Sequence, residues 1–155
     1  MEAYHAHGRS DDERTRIRYG YGHRGKAAQL LSDNDCGCLP VVESAASRRV
    51  IGVLTDRDIA IRGVARGKSP DTPVRELMTT DVAMVGAADN VEKVERVMSD
   101  RQVRRVVVVD DDRRCIGIVS QADLALAAKR GEGVDDRAVA RVVEEISEPA
   151  TVIDS

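Results

Sequence analysis

Two short strings in this chain set a hydroxyl and a carboxylate three residues apart, each behind a glycine and two apolar residues. They are Gly52-Val53-Leu54-Thr55-Asp56-Arg57-Asp58 and Gly117-Ile118-Val119-Ser120-Gln121-Ala122-Asp123. The apolar residues read as a strand, and the hydroxyl falls where strand gives way to helix. A helix N-terminus offers N–H groups without intrahelical partners and the positive end of the macrodipole, which suits a phosphate. A carboxylate one turn on is an acceptor suited to a pair of sugar hydroxyls. The same atoms also spell a capping box, with Thr55 and Ser120 as N-caps and Asp58 and Asp123 in the first turn. Two copies in register do not separate these readings, because capping repeats with the fold.

The strings are the clearest part of an internal repeat. Residues 51–60 align with 116–125 at an offset of 65, with four of ten positions identical and four exchanged within a class. Upstream, AAQLLSDNDCGCLPVVE (27–43) runs against VERVMSDRQVRRVVVVD (94–110) at an offset of 67. The change of offset fits a longer turn in the first copy, where SAASRR stands against DDRR. Each copy spans about sixty residues, too long for a solenoid unit, and reads as one of a tandem pair of small α/β units.

The elements that must position these side chains follow from periodicity and turn chemistry. Residues 1–24 mix charge, Gly and His without a sustained period, and read as irregular with a short strand near Arg16–Tyr19. Lys26–Asp33 reads as a helix with Ala27, Leu30 and Leu31 on one stripe. Leu39–Glu43 and Arg49–Leu54 read as a hairpin, and Asp56–Ala65 as a helix ended by Gly67. Pro70 and Pro73 mark a linker, Val74–Met78 a helical turn and Val82–Val85 a strand. In the second copy Asp89 reads as an N-cap, with Glu92 three residues on, of a helix running to about Gln102. Arg105–Val109 and Cys115–Val119 form a hairpin over an Asp110–Asp112 turn; Gln121–Lys129 and Asp135–Ile146 are helices. The expected organisation is an irregular segment 1–24, a first repeat 25–68 with a truncated or diverged first strand, and a linker 69–80. A second repeat 81–130 and a C-terminal helix and tail 131–155 follow.

Composition narrows the function classes. The 155 residues suit one compact domain or two small ones, and the formal net charge of −3 gives no global pull toward nucleic acid or an anionic membrane. Three Tyr, all within the first 21 residues, and no Trp or Phe leave no aromatic platform for stacking bases along a strand. No apolar run approaches the roughly 18 residues of a membrane helix, no signal peptide stands out, and Cys36, Cys38 and Cys115 lack framework spacing. A reduced, cytoplasmic setting is expected. The three His (5, 7 and 23) lie in the N-terminal segment, so the cysteines read as small apolar residues and not as a metal site. No nucleophile–base constellation, Walker loop or dinucleotide fingerprint appears, and the chain is not expected to be an enzyme.

Residues 26–130 resemble a tandem pair of CBS domains, the Bateman module named for cystathionine β-synthase. The resemblance is carried by LPVV (39–42), IGVLTDRDI (51–59), TPVRELMTTDV (72–82), RRVVVVDDD (104–112) and IGIVSQADL (116–124). It implies an α/β (α+β) fold of two tandem β-α-β-β-α repeats packed through their sheets with pseudo-two-fold symmetry. It also implies clefts for an adenosyl ligand (AMP, ADP, ATP or S-adenosylmethionine), the Asp holding ribose hydroxyls and the Thr or Ser meeting phosphate. Carried over by position, the first cleft combines Val53, Thr55 and Asp58 with Asp81, Val82, Ala83, Val103, Arg104 and Arg105. Its guanidinium groups suit phosphate oxygens, although Arg104 and Arg105 also read as solvated helix-end charges. A weaker second site combines Ile118, Ser120 and Asp123 with Cys36, Gly37 and Cys38, and its base-binding strand is expected near residues 11–17, where DERTRIR departs from the family pattern.

The expected function is a stand-alone regulatory sensor that binds an adenine nucleotide between repeats, requires no cofactor, and signals to an unidentified partner protein. The alternative is a ligand-independent module for dimerisation and protein interaction, using the apolar faces of helices 91–102 and 135–146. A homodimer is expected in either case.

Overall fold

The elements are set by where the apolar residues fall. A computed structural model describes residues 22–147. Among these, one compact unit comprises residues 22–82 with 109–117, and the other residues 83–108 with 118–147. The fold is mixed α+β, with a two-stranded and a three-stranded sheet. The strand expected at Arg16–Tyr19 and the base-binding strand expected at residues 11–17 lie outside the described residues.

In the first unit, α1 (Arg24–Asp33) turns Ala27 and Leu31 inward, on the stripe read from the sequence. The strands β1 (Cys38–Val42) and β2 (Val50–Thr55) pair antiparallel, with Cys38 opposite Thr55 and Leu39 opposite Leu54. β2 alternates, burying Val50, Gly52 and Leu54, as a strand with one covered face must. The following helix starts as α2 (Asp56–Asp58), widens to π-type winding over Ile59–Gly63 and tightens to a 3₁₀ turn over Val64–Arg66. The regular helix expected over Asp56–Ala65 is corrected accordingly. Gly67 closes the segment with a φ of +63°, where a side chain would be strained.

The linker returns to the sheet. After a 3₁₀ turn at Val74–Glu76, Val53 and Thr79 exchange two backbone hydrogen bonds of 2.9 and 2.8 Å. This approach explains Gly52. A Cβ there would stand 2.5 Å from Met78 Sδ and 3.0 Å from the Thr79 carbonyl oxygen. Ala27, Leu31, Leu39, Val41, Leu54, Val74 and Leu77 form the unit's core. Residues 109–117 add to its edge, where Val50 donates to the Arg113 carbonyl and Cys115 to that of Arg48.

The second unit holds β3 (Met84–Gly86), α3 (Val91–Arg101), most of β4 (Arg105–Val109), the end of β5 (Cys115–Ser120) from Ile118 on, α4 (Gln121–Lys129) and α5 (Asp136–Ser147). The sheet order is β3-β4-β5. The N-cap of α3 is Asn90, whose side chain accepts from the Lys93 amide, and not Asp89 as expected. The Asp89 carboxylate instead folds back to accept from the Gly86 amide at 2.7 Å and from Lys93 Nζ at 2.9 Å. On the faces of α3 and α5 expected to serve dimerisation, Val94, Met98, Val139, Val142 and Ile146 are buried in this unit's core, while Val143 of α5 stays 37% exposed. α5 packs on both α3 and α4.

Candidate functional site

Both hydroxyl–carboxylate pairs sit where the sequence places them, at the strand-to-helix junctions β2–α2 and β5–α4. Both are complete capping boxes. Thr55 N and Oγ1 donate to Asp58 Oδ2 at 3.0 and 2.9 Å, and Thr55 Oγ1 accepts from the Asp58 amide at 3.0 Å. Ser120 N and Oγ donate to Asp123 Oδ2 at 2.8 and 2.6 Å, and Ser120 Oγ accepts from the Asp123 amide at 3.2 Å. The capping reading is therefore correct, yet it occupies only Oδ2 of each carboxylate.

The other oxygen distinguishes the two copies. Asp58 Oδ1 lies 3.7 Å from Arg62 Nη1, one helical turn on. The same Nη1 reaches the carbonyl oxygens of Leu77 and Met78, each at 3.0 Å, and Thr79 Oγ1 at 3.3 Å. The residue corresponding to Arg62 in the second copy is Ala127, which has no charge to offer. Sequence reasoning missed Arg62 because it lies beyond the repeated string. Its signal was the i, i+4 spacing from an acid on a helix.

Of the other residues expected at the first site, Asp81 and Val82 belong to the same unit as Val53, Thr55 and Asp58. Asp81 is exposed and Val82 is 9 % exposed. Ala83, Val103, Arg104 and Arg105 belong to the other unit, where Ala83 accepts from the Val107 amide and the Arg104 carbonyl from the Gln121 amide. The side chains of Arg104 and Arg105 are exposed. The second set divides likewise: Gly37 and Cys38 lie in the first unit and Ile118, Ser120 and Asp123 in the second. Beside Ser120, Gln121 Oε1 is buried with no hydrogen-bond partner among the described residues, a feature that sequence reasoning did not single out.

Of the three cysteines, Cys36 and Cys38 are partly exposed. Cys115 is fully buried, and that burial pushes its thiol up to about 11. A cavity of about 530 Å³ lies in the second unit between α3 and α5, lined by Glu92, Glu95, Asp135 and Glu145 among others. It contains none of the expected site residues, and Arg96 and Arg141 stand in its wall beside the carboxylates.

The strand-to-helix junctions, repeated in register and flanked by the LPVV-type strands, define the class. A family model for the CBS domain matches residues 25–63 and 74–130, and the chain belongs to that family. It is 38% identical over 101 residues to the CBS domain-containing protein YhcV of Bacillus subtilis, covering 65% of this chain and 69% of that protein. It is 40% identical over 100 residues to Hypoxic response protein 1 of Mycobacterium tuberculosis, covering 64% of this chain and 68% of the relative. Among solved structures, the CBS domain pair of protein MJ0100 in complex with 5′-methylthioadenosine and S-adenosyl-L-methionine is similar, with a TM-score of 0.61 and 29% identity. That match covers 70% of this chain and 83% of the other.

Proposed function

We propose that this chain is a regulatory module that binds an adenosyl compound (AMP, ADP, ATP or S-adenosylmethionine) and signals by a conformational shift to a partner protein. The observation that carries the reading is the carboxylate oxygen Oδ1 of Asp58. It lies outside the capping box, while Thr55 holds the rest of the group rigid. A carboxylate fixed in this way is a prepared acceptor for ribose hydroxyls. The similarity to an adenosyl-bound CBS pair supports the ligand class. Val53, Thr55, Asp58, Asp81, Val82, Ala83, Val103, Arg104 and Arg105 are proposed as the first site. Gly37, Cys38, Ile118, Ser120 and Asp123 are proposed as the weaker second. The role is binding and not catalysis.

Thermal unfolding of the full chain with AMP, ADP, ATP, S-adenosylmethionine and a guanine-nucleotide control tests it. A ligand at 100 times its Kd stabilises the fold by about 2.7 kcal/mol, several degrees at this size. The expected result is an adenine-selective shift that Asp58→Ala abolishes and Asp123→Ala largely keeps. A flat response across the panel, or equal shifts in wild type and Asp58→Ala, overturns the reading. A second reading, a ligand-independent dimerisation module, has its own support in Ile61 and Val64, 47% and 64% exposed on the helical segment that follows Asp58.

A further inference from the structure

Arg62 is used by neither the fold core nor the family motif, yet it touches both arms of the first unit's proposed site. One arm is the capped motif, through Asp58 Oδ1 at 3.7 Å. The other is the linker, through the Leu77 and Met78 carbonyls and Thr79 Oγ1. Those linker residues run directly into Asp81 and Val82. They are held to the sheet by the paired hydrogen bonds between Thr79 and Val53. The Asp58 side chain is 14% exposed and that of Arg62 45% exposed, so the carboxylate is fixed while the guanidinium keeps room to move. The π-type winding over Ile59–Gly63 contains Arg62, and such local widening is common where a helix serves a function.

We infer that Arg62 is a positioning residue that couples the Asp58 carboxylate to linker residues 77–79, so that occupation of Asp58 Oδ1 by ligand hydroxyls releases the guanidinium and changes the linker. The inference rests on the proposed adenosyl site for its trigger, but the coupling itself belongs to side chains present in the structure. Only the first copy carries it, because Ala127 stands at the corresponding position of the second. The first site is thereby the one able to signal, and the linker between repeats is what it signals through.

The test is hydrogen exchange of the Thr79 amide and its neighbours over residues 77–82 in the full chain, read as a double-mutant cycle without any ligand. Asp58→Asn keeps an acceptor for the capping bonds but removes the charge facing Arg62. It is expected to change linker exchange about two- to fivefold, the scale of a partly exposed ion pair. In an Arg62→Ala background the same substitution is expected to have no further effect, while Arg62→Lys retains a response. Arg62→Gln, which keeps donors for the carbonyls but not the charge, takes the place of Arg62→Ala if that variant fails to fold. An Asp58→Asn effect of equal size with and without the Arg62 charge overturns the coupling. In a second arm, whichever of AMP, ADP, ATP or S-adenosylmethionine binds is expected to alter exchange over 77–82 in wild type and not in Arg62→Ala. Failure of all four to bind sinks the adenosyl reading, while the ligand-free cycle still decides the coupling.

Discussion

Asp58 and Asp123 each commit one carboxylate oxygen to a helix cap, and what the second oxygen meets separates otherwise equivalent residues. The caps have a cost that can be measured apart from any ligand. Thr55→Ala and Ser120→Ala each remove an N-cap acceptor, and each is expected to lower unfolding free energy by about 1 kcal/mol in denaturant titrations. A loss near zero at either position would show that water replaces the cap. The cysteines divide as sharply. Cys115 has no accessible surface and a thiol raised to about 11, whereas Cys36 and Cys38 are partly exposed. Iodoacetamide is expected to label Cys36 and Cys38 in the folded chain, and to reach Cys115 only when denaturant opens the fold. Comparable labelling of all three would contradict the burial of Cys115.

At the scale of elements, β2 and the linker depend on one missing methyl group. Gly52→Ala would push a Cβ against Met78 Sδ and the Thr79 carbonyl. The thioether can swing away, but the carbonyl is backbone and bonded to Val53. The expected loss is about 1–3 kcal/mol of stability, with faster exchange of the Thr79 amide; an unchanged midpoint would refute that packing. Asp89, in the turn before α3, and Glu95, on α3, are carboxylates with opposite pH responses. The Lys93 ammonium and the Gly86 amide hold Asp89 below its ordinary 3.8, so its contribution is present above that value and lost as pH falls through the folded value. Burial pushes Glu95 above its ordinary 4.5, with Arg141 opposing the shift. Its ionisation therefore costs stability at neutral pH, and that cost is relieved as pH falls through the raised value. Glu95→Gln is expected to raise the Tm at neutral pH, with the gain shrinking toward 4.5, the ordinary glutamate value. A gain independent of pH would assign the effect to packing instead.

At the scale of the molecule, each unit leaves some apolar surface exposed. α5 buries Val139, Val142 and Ile146 but leaves Val143 exposed, Leu126 of α4 is exposed as well, and Ile61 and Val64 form an exposed apolar pair on the first unit. If the chain dimerises through that pair, Ile61→Glu with Val64→Glu is expected to shift sedimentation from dimer to monomer without lowering the Tm of the monomer. Unchanged sedimentation would place the contact elsewhere. Among the described residues no helix is long and apolar enough to cross a membrane.

The sequence by itself determined the repeat, the family and the two strand-to-helix junctions. Those features rest on local patterns: the apolar runs of β1 and β2, and a hydroxyl three residues before an acid. It also located the caps at Asp58 and Asp123, because a hydroxyl three residues before an acid is a local pattern. Tertiary structure alone decided the rest. The helix cap moved from Asp89 to Asn90 because the Asp89 carboxylate folds back over the Gly86–Asp89 turn, a contact that spacing does not encode. The apolar face of α5 reads identically in sequence whether it meets a second protomer or its own α3, and only packing shows that it meets α3. The bonds from Arg62 to residues 77–79 span 15 to 17 positions and end largely on backbone carbonyls, which every residue type supplies and no string of letters can mark.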